Sequence, residues 1–243
     1  LWAENTEGNS INEDQISEGP TARLEARRFD KGYTVTWELT KDDLYGVLNG
    51  RGKDGSAQML ARGLRATLET EAANVINNGF TQNGYDGVTL FSSAHPLADS
   101  SDVGDNLISG ELTPTNVKDG MTKMRQQVNE AGVLIQARAK QLIVGPDNEY
   151  TAYEITRSTN QAHELSNTAN VIEGLKVIVL DYIDDKIWVL RDPNIENLMF
   201  GWREKPFYDS MQLPKSVDFF MFGYTRFDVG AIDWRGLVGS TGT

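Results

Sequence analysis

Residues 33–40 alternate with a period of two: Tyr33, Val35, Trp37 and Leu39 fall on one side, Thr34, Thr36, Glu38 and Thr40 on the other. β-Branched and aromatic residues at that spacing predict a strand with one apolar face. Upstream, Arg23, Glu25 and Arg27 alternate with Leu24 and Ala26. Between the two stretches, Asp30, Lys31 and Gly32 offer a short turn in which glycine can take positive φ. The pattern predicts a long β-hairpin over residues 21–40. One of its strands is polar and basic through Arg23, Arg27 and Arg28, which suits it poorly to burial in its own domain. A two-stranded ribbon is marginal alone, so this one needs a partner surface such as another subunit supplies.

The segments on either side deepen the problem. Residues 1–20 hold Glu4, Glu7, Glu13, Asp14 and Glu18, no Lys or Arg, and few apolar residues. They predict an extended acidic arm without a core. After a polar link over residues 41–55, Met59, Leu60, Leu64, Leu68, Ala72, Val75 and Ile76 recur every three or four residues. That spacing predicts a helix over about 56–78, roughly 33 Å long, with Gly79 placed to stop it. Residues 80–112 form a long polar excursion.

A second helix opens at Thr113 and Pro114, with Val117, Met121, Met124 and Val128 inward and Gly132 at its end. A buried strand follows over residues 141–144. A third helix starts at Pro146 and Asp147 and carries Tyr150, Ala152, Tyr153 and Ile155. Two strands then span 175–183 and 186–190, with a turn at Asp184 and Asp185. The last third is β-rich and aromatic, from Phe200 and Trp202 to Phe227 and Trp234, and strand aromatics of this kind are expected in a core.

Signals for catalysis are weak. Gly50 to Gly55 matches G-x-G-x-x-G, yet the stretch before it, through Asp42, Asp43, Leu44 and Tyr45, is polar. A dinucleotide site needs a buried strand there. His163 and Glu164 begin a zinc-protease pattern that Asn167 breaks, and His95 is the other histidine. Asp99, Asp102 and Asp105 lack the ligand spacing of a calcium loop. The neighbouring pairs Asp42–Asp43 and Asp184–Asp185 do not face one another across a substrate.

No cysteine is present, which removes disulfides and thiolate metal sites. Acids outnumber bases by 35 to 23, a net charge of -12, which argues against a general grip on nucleic acid. Apolar runs such as 177–180 and 219–222 are too short to span a bilayer. No signal peptide follows Leu1, and the missing initial Met predicts a processed or incomplete N-terminus. The expectation is a non-enzyme with no cofactor, no metal and no membrane partner.

The order of arm, hairpin, long helix, polar excursion, mixed helix and strand, and late β-segment resembles the major capsid protein of tailed bacteriophages, a fold shared with encapsulins. Three stretches carry the likeness. Residues 86–97, DGVTLFSSAHPL, resemble a G-x-x-L-F-x-x-x-H stretch that follows the long helix in many of these proteins. Residues 140–146, KQLIVGP, resemble a strand-to-helix turn of the family. Asn170-Val171-Ile172, Lys176 to Val179 and Lys186 to Leu190 resemble its strand run.

The resemblance implies an α+β phage capsid fold: an N-terminal arm (1–20), an extended hairpin or E-loop (21–40), and a P-domain (41–132) with its spine helix at about 56–78. A mixed α/β A-domain (133–200) and a return to the P-domain (201–243) complete it. It also implies a structural protein that self-assembles into hexamers and pentamers. These would close an icosahedral shell around viral double-stranded DNA without sequence-specific binding. Portal, scaffold and decoration proteins would be further partners, the host cytoplasm the place of assembly and the virion the final location. The second reading is an encapsulin-like compartment shell, and the third a monomeric acidic hydrolase or carbohydrate-binding protein.

On the leading reading Arg23, Arg27, Arg28 and Lys31 are inter-subunit contacts to acidic neighbours, with Tyr33 and Trp37 as apolar anchors. Some family members crosslink an E-loop lysine to a neighbour's asparagine. Lys31 stands at the expected hairpin tip, but no Asn occurs after Asn197, so no crosslink is expected, although asparagines between residues 74 and 83 are conceivable acceptors.

Overall fold

The computed structural model describes residues 21–43, 56–97, 103–158, 170, 172, 174–184, 186–214 and 216–243. The acidic arm, the glycine motif at 50–55, Asp99, Asp102, His163, Glu164 and Asp185 lie outside the described residues. In chain order the elements are β1 (Arg27–Val35), α1 (Trp37–Lys41), α2 (Ser56–Asn77), β2 (His95–Pro96), β3 (Val103–Gly104), β4 (Leu107–Ile108) and α3 (Pro114–Arg125). Then come β5 (Gln141–Val144), α4 (Glu149–Arg157), β6 (Lys176–Val179), β7 (Trp188–Arg191), β8 (Leu198–Gln212), β9 (Phe219–Ala231) and β10 (Leu237–Ser240). The chain divides into two compact units. One holds residues 76–197 and 231–243, the other residues 23–75 and 198–230.

The first unit is built on a five-stranded sheet in the order β4-β10-β7-β5-β6. Leu142, Ile143 and Val144 make β5 apolar on both faces, so it needs cover on both and a neighbour on each side. It pairs in parallel with β6 and antiparallel with β7. The two strands expected to follow one another across the Asp184 turn therefore flank β5 instead.

Two helices complete this core. Thr113 caps α3 by accepting the Asn116 N–H, and Pro114 occupies its first turn. The helix ends at Arg125, well before Gly132, whose φ of 72° belongs to the turn that brings Val128 opposite Leu134. Pro146 opens a 3-10 turn that leads into α4, which buries Ala152 and Ile155 and leaves Tyr150 79% exposed. Trp188, Leu142, Val144, Leu190, Val117, Met124 and Val238 close the core at 0% exposure. Full burial of each such side chain is worth roughly 1.5–3 kcal/mol.

Gly104 of β3 lets Trp234 lie flat. A Cβ at that position would collide with the Cη2 and Cζ2 atoms of the indole and press the His95 Cβ at 3.3 Å. Gly104→Ala is expected to lower stability by about 1–3 kcal/mol, the usual cost of overpacking. Thermal denaturation checks this, and an unchanged midpoint would show that the indole can move.

In the second unit the expected hairpin over 21–40 is not formed. β1 runs straight through Asp30, Lys31 and Gly32 and pairs antiparallel with β9 over its whole length, from Arg27 opposite Phe227 to Val35 opposite Phe219. The alternation of residues 33–40 also breaks off. Thr36 caps α1 by accepting the Leu39 N–H, and Trp37 to Lys41 become helical.

The cause is the partner available elsewhere in the chain. A ladder against the aromatic β9 supplies more cross-strand contact than a short polar strand could. Gly32 serves a close approach rather than a turn, because a Cβ there would stand 2.6 Å from the Phe220 ring. The sheet order is β1-β9-β8, so among the described residues β8 is an edge strand. α2 matches the expected helix closely; Leu60, Ala73 and Ile76 are buried, whereas Met59 is 48% exposed.

Candidate inter-subunit surface

The β1–β9 register sorts side chains onto two faces of the sheet. Arg27, Phe29, Lys31, Tyr33 and Val35 share a face with Phe227, Thr225, Gly223, Met221 and Phe219. This is the face toward α2, since Phe29 and Lys31 line a cavity together with Leu60, Gly63 and Leu64. Its centre is Phe227, fully buried, stacked on Phe29 at 4.5 Å, with Trp202 at 5.5 Å and Phe200 at 5.7 Å. The opposite face carries Arg28 with Tyr224, Phe222 and Phe220; the last two rings stack at 5.5 Å, and Phe207 packs on Tyr224 at 5.4 Å.

Each residue expected at a contact has a place on this ribbon. Arg23 pairs with Glu25 at 3.0 Å, both well exposed. Arg28 pairs with Asp30 at 2.9 Å and lies over the Tyr224 ring at 5.5 Å. Lys31 stands in mid-strand opposite Gly223, not at a tip, with its ammonium 5.6 Å from the Tyr33 ring. Tyr33 is half-buried. Trp37 is 41% exposed at the start of α1, its backbone N–H donating to Asp218 Oδ1 at 3.3 Å and Lys41 Nζ lying 5.3 Å from its ring.

Arg27 differs, being engaged within its own chain by Glu71 at 2.6 Å and Asp228 at 3.4 Å. The Glu71 hydrogen bond raises its pKa further above the ordinary value, against the opposing effect of desolvation. With the Arg27 side chain 54% exposed, the pair is worth less than about 1 kcal/mol. A double-mutant cycle of Arg27→Ala with Glu71→Ala, read by urea denaturation, is expected to return a coupling of that size.

Sequence reasoning missed β8. The expected core aromatics Phe200, Trp202, Phe207 and Tyr208 are 37–46% exposed, and Met211 is 53% exposed. Fourteen of the strand's fifteen residues, all but Leu198, are exposed. An aromatic run reads as core until its sheet position is known. The available signal was Arg203, Glu204, Lys205 and Pro206 in its middle, since charges and proline mark strands at a sheet edge.

His95 and its surroundings, in the first unit, are closed to solvent. The ring is 0% exposed and stacks on Trp234 at 4.3 Å. Asn106 donates from Nδ2 to the Leu90 and Trp234 carbonyls, and its Oδ1 accepts the Ser92 N–H. That oxygen also faces His95 Nε2 at 3.1 Å, so Nε2 carries a proton. Nδ1 hydrogen-bonds Asp86 Oδ2 at 2.6 Å. The histidine is a fastening between loops with no open side for a substrate.

Nearby, Tyr85 donates to Asp233 at 3.0 Å, and burial, reinforced by the Asp233 charge, pushes the phenol pKa up. Among the described residues no cluster of acids and histidines could hold a metal ion, and no helix is long and apolar enough to cross a membrane.

Solved structures share this fold at low identity. A structure from Microbacterium phage Oxtober96 matches with a TM-score of 0.61 at 9% identity, over 99% of this chain and 81% of that one. The capsid of cyanophage P-SCSP1u matches at 0.58 and 10%, over 98% and 80%. The SrpI encapsulin of Synechococcus elongatus matches at 0.54 and 11%, over 88% and 73%. The architecture is thus the α+β fold common to phage capsid subunits and encapsulins. No curated protein matches the chain. The phage capsid protein family model matches residues 21–240, nearly the whole chain, and the chain belongs to that family. Its role is structural, and its place is the virion.

Proposed function

We propose that copies of this chain form hexamers and pentamers that close an icosahedral phage head around double-stranded DNA. The observation that carries this reading is the family match over residues 21–240. The long strand β8, at the edge of its sheet among the described residues, supports it, because exposed aromatics on a sheet edge are a liability that a neighbouring subunit removes. The net charge of -12 suits a wall that holds packed DNA without adhering to it. On this reading subunits assemble in the host cytoplasm, with portal, scaffold and decoration proteins as further partners.

Arg23, Arg28, Lys31, Tyr33 and Trp37 are the contact residues proposed on the ribbon. Arg28→Glu is the informative charge reversal, since Arg27→Glu would also set Glu71 and Asp228 against their own chain. No Lys31 crosslink forms on this reading. Among the conceivable acceptors, Asn77 already uses its amide on the Tyr182 carbonyl and the Asp184 N–H.

Negative-stain microscopy of the expressed chain, with nuclease protection of the particle contents, tests the proposal. Closed shells holding protected double-stranded DNA from infected cells are expected. A solitary 27.0 kDa species would end the reading. Shells holding a cargo protein would instead favour the compartment reading that the encapsulin fold match keeps in play.

A further inference from the structure

In the first unit β5 begins between two cations. The register sets Gln141 opposite Lys176 of β6 and opposite Arg191 of β7, so the three side chains stand in a row on one face of the sheet. At roughly 4.8 Å per strand the two cations are about 10 Å apart. Lys140, one residue earlier, falls on the other face by alternation. Its N–H donates to the Arg191 carbonyl and its carbonyl accepts the Lys176 N–H, which fixes it between the same two strands. Arg138 lies two residues further back; it, Lys140 and Lys176 are exposed.

In a chain with 35 acids and 23 bases, four bases gathered at one end of a sheet call for counter-charges. Among the described residues none of the four side chains forms an ion pair. Asp192 is 4% exposed, and its carboxylate already accepts the Arg138 and Asn194 N–H groups. Glu196 is exposed and joins none of the four, and Glu173 lies outside the described residues. Arg191 donates to a neutral group, Asn197 Oδ1 at 2.9 Å, and burial lowers its pKa. Between the cations, Gln141 Oε1 is buried with no hydrogen-bond partner, a rarity in a folded chain. Turning that amide about its side-chain torsions brings a donor and an acceptor out between Lys176 and Arg191.

A partner that answers cations and an amide together carries carboxylates with main-chain N–H and C=O groups, which is an acidic peptide. A phosphodiester backbone offers acceptors only and leaves the glutamine acceptor unanswered. Within this chain the segment of that chemistry is residues 1–20, with Glu4, Glu7, Glu13, Asp14 and Glu18 and no Lys or Arg. We propose that residues 1–20 dock on this end of the sheet, carboxylates on Lys140, Lys176 and Arg191 and main chain on the Gln141 amide. The docking stands whether or not the chain builds a shell.

Two experiments on the full chain test this. Carbodiimide treatment joins carboxylates directly to lysine ammonium groups that touch them. Mass spectrometry is expected to find Lys140 or Lys176 joined to acids of residues 1–20. In the second, a glutamate-specific protease cuts at Glu4, Glu7, Glu13 and Glu18. Lys140→Gln with Lys176→Gln, both exposed positions, is expected to speed those cuts roughly fivefold or more, because cleavage follows the undocked population. Lys140→Arg with Lys176→Arg keeps the charge and is expected to keep the protection. Crosslinks from Glu173 or Glu196 alone, or equal cutting in all three chains, would overturn the inference. So would binding of a duplex DNA probe that is lost with the two lysines, which would assign the patch to nucleic acid.

Discussion

His95→Ala is expected to destabilise the first unit by roughly 3–5 kcal/mol, because it takes the ring from a buried Asp86 carboxylate that keeps only the Val88 N–H at 3.3 Å. The Asp86 side chain is 3% exposed and His95 fully buried. The deletion also removes the ring that stacks on Trp234 and the proton that Asn106 Oδ1 accepts. Urea denaturation measures it. The double variant Asp86→Ala, His95→Ala is expected to lose less than the two single losses together, since it removes the orphaned charge with its partner. A single-variant loss below 1 kcal/mol would mean that water enters and the pair is ornamental to the fold.

Phe227→Ala is expected to cost about 3–5 kcal/mol, a large aromatic removed from a filled site, and the loss falls on the second unit. Phe29, Phe200 and Trp202 all rest on that ring. β1 has no other strand partner than β9 among the described residues, so the cavity left behind loosens the attachment of β1 as well as β8. Hydrogen exchange should find protection lost across 27–35 and 219–231 and retained in β5 and β7. Uniform loss across both units would show that they unfold together.

Several parts of this fold were legible in residue order alone. The 3.6-residue spacing of Leu60, Leu64 and Ile76 is written along the chain and gave α2 to within a residue. The Thr113–Pro114 cap and the apolar run at 141–144 are equally local. His95 drew no catalytic role from the sequence; its Asp86 and Asn106 partners lie 9 and 11 residues away, within one loop region.

The ribbon was legible only in part. Tyr33 and Val35 announced a strand, but Asp30, Lys31 and Gly32 read equally well as a turn or as mid-strand residues. The choice was made by Phe219 to Ala231, nearly two hundred residues downstream, whose pairing no local pattern contains. The same non-local pairing put β8 at an edge and its aromatics into solvent. Periodicity and capping are energies of neighbours in sequence, so the order of residues determined the helices, the strands and the family of this protein. Which strand pairs with which, which face is left bare and where a glycine leaves a hollow depend on contacts between distant segments, and only the tertiary structure decided them.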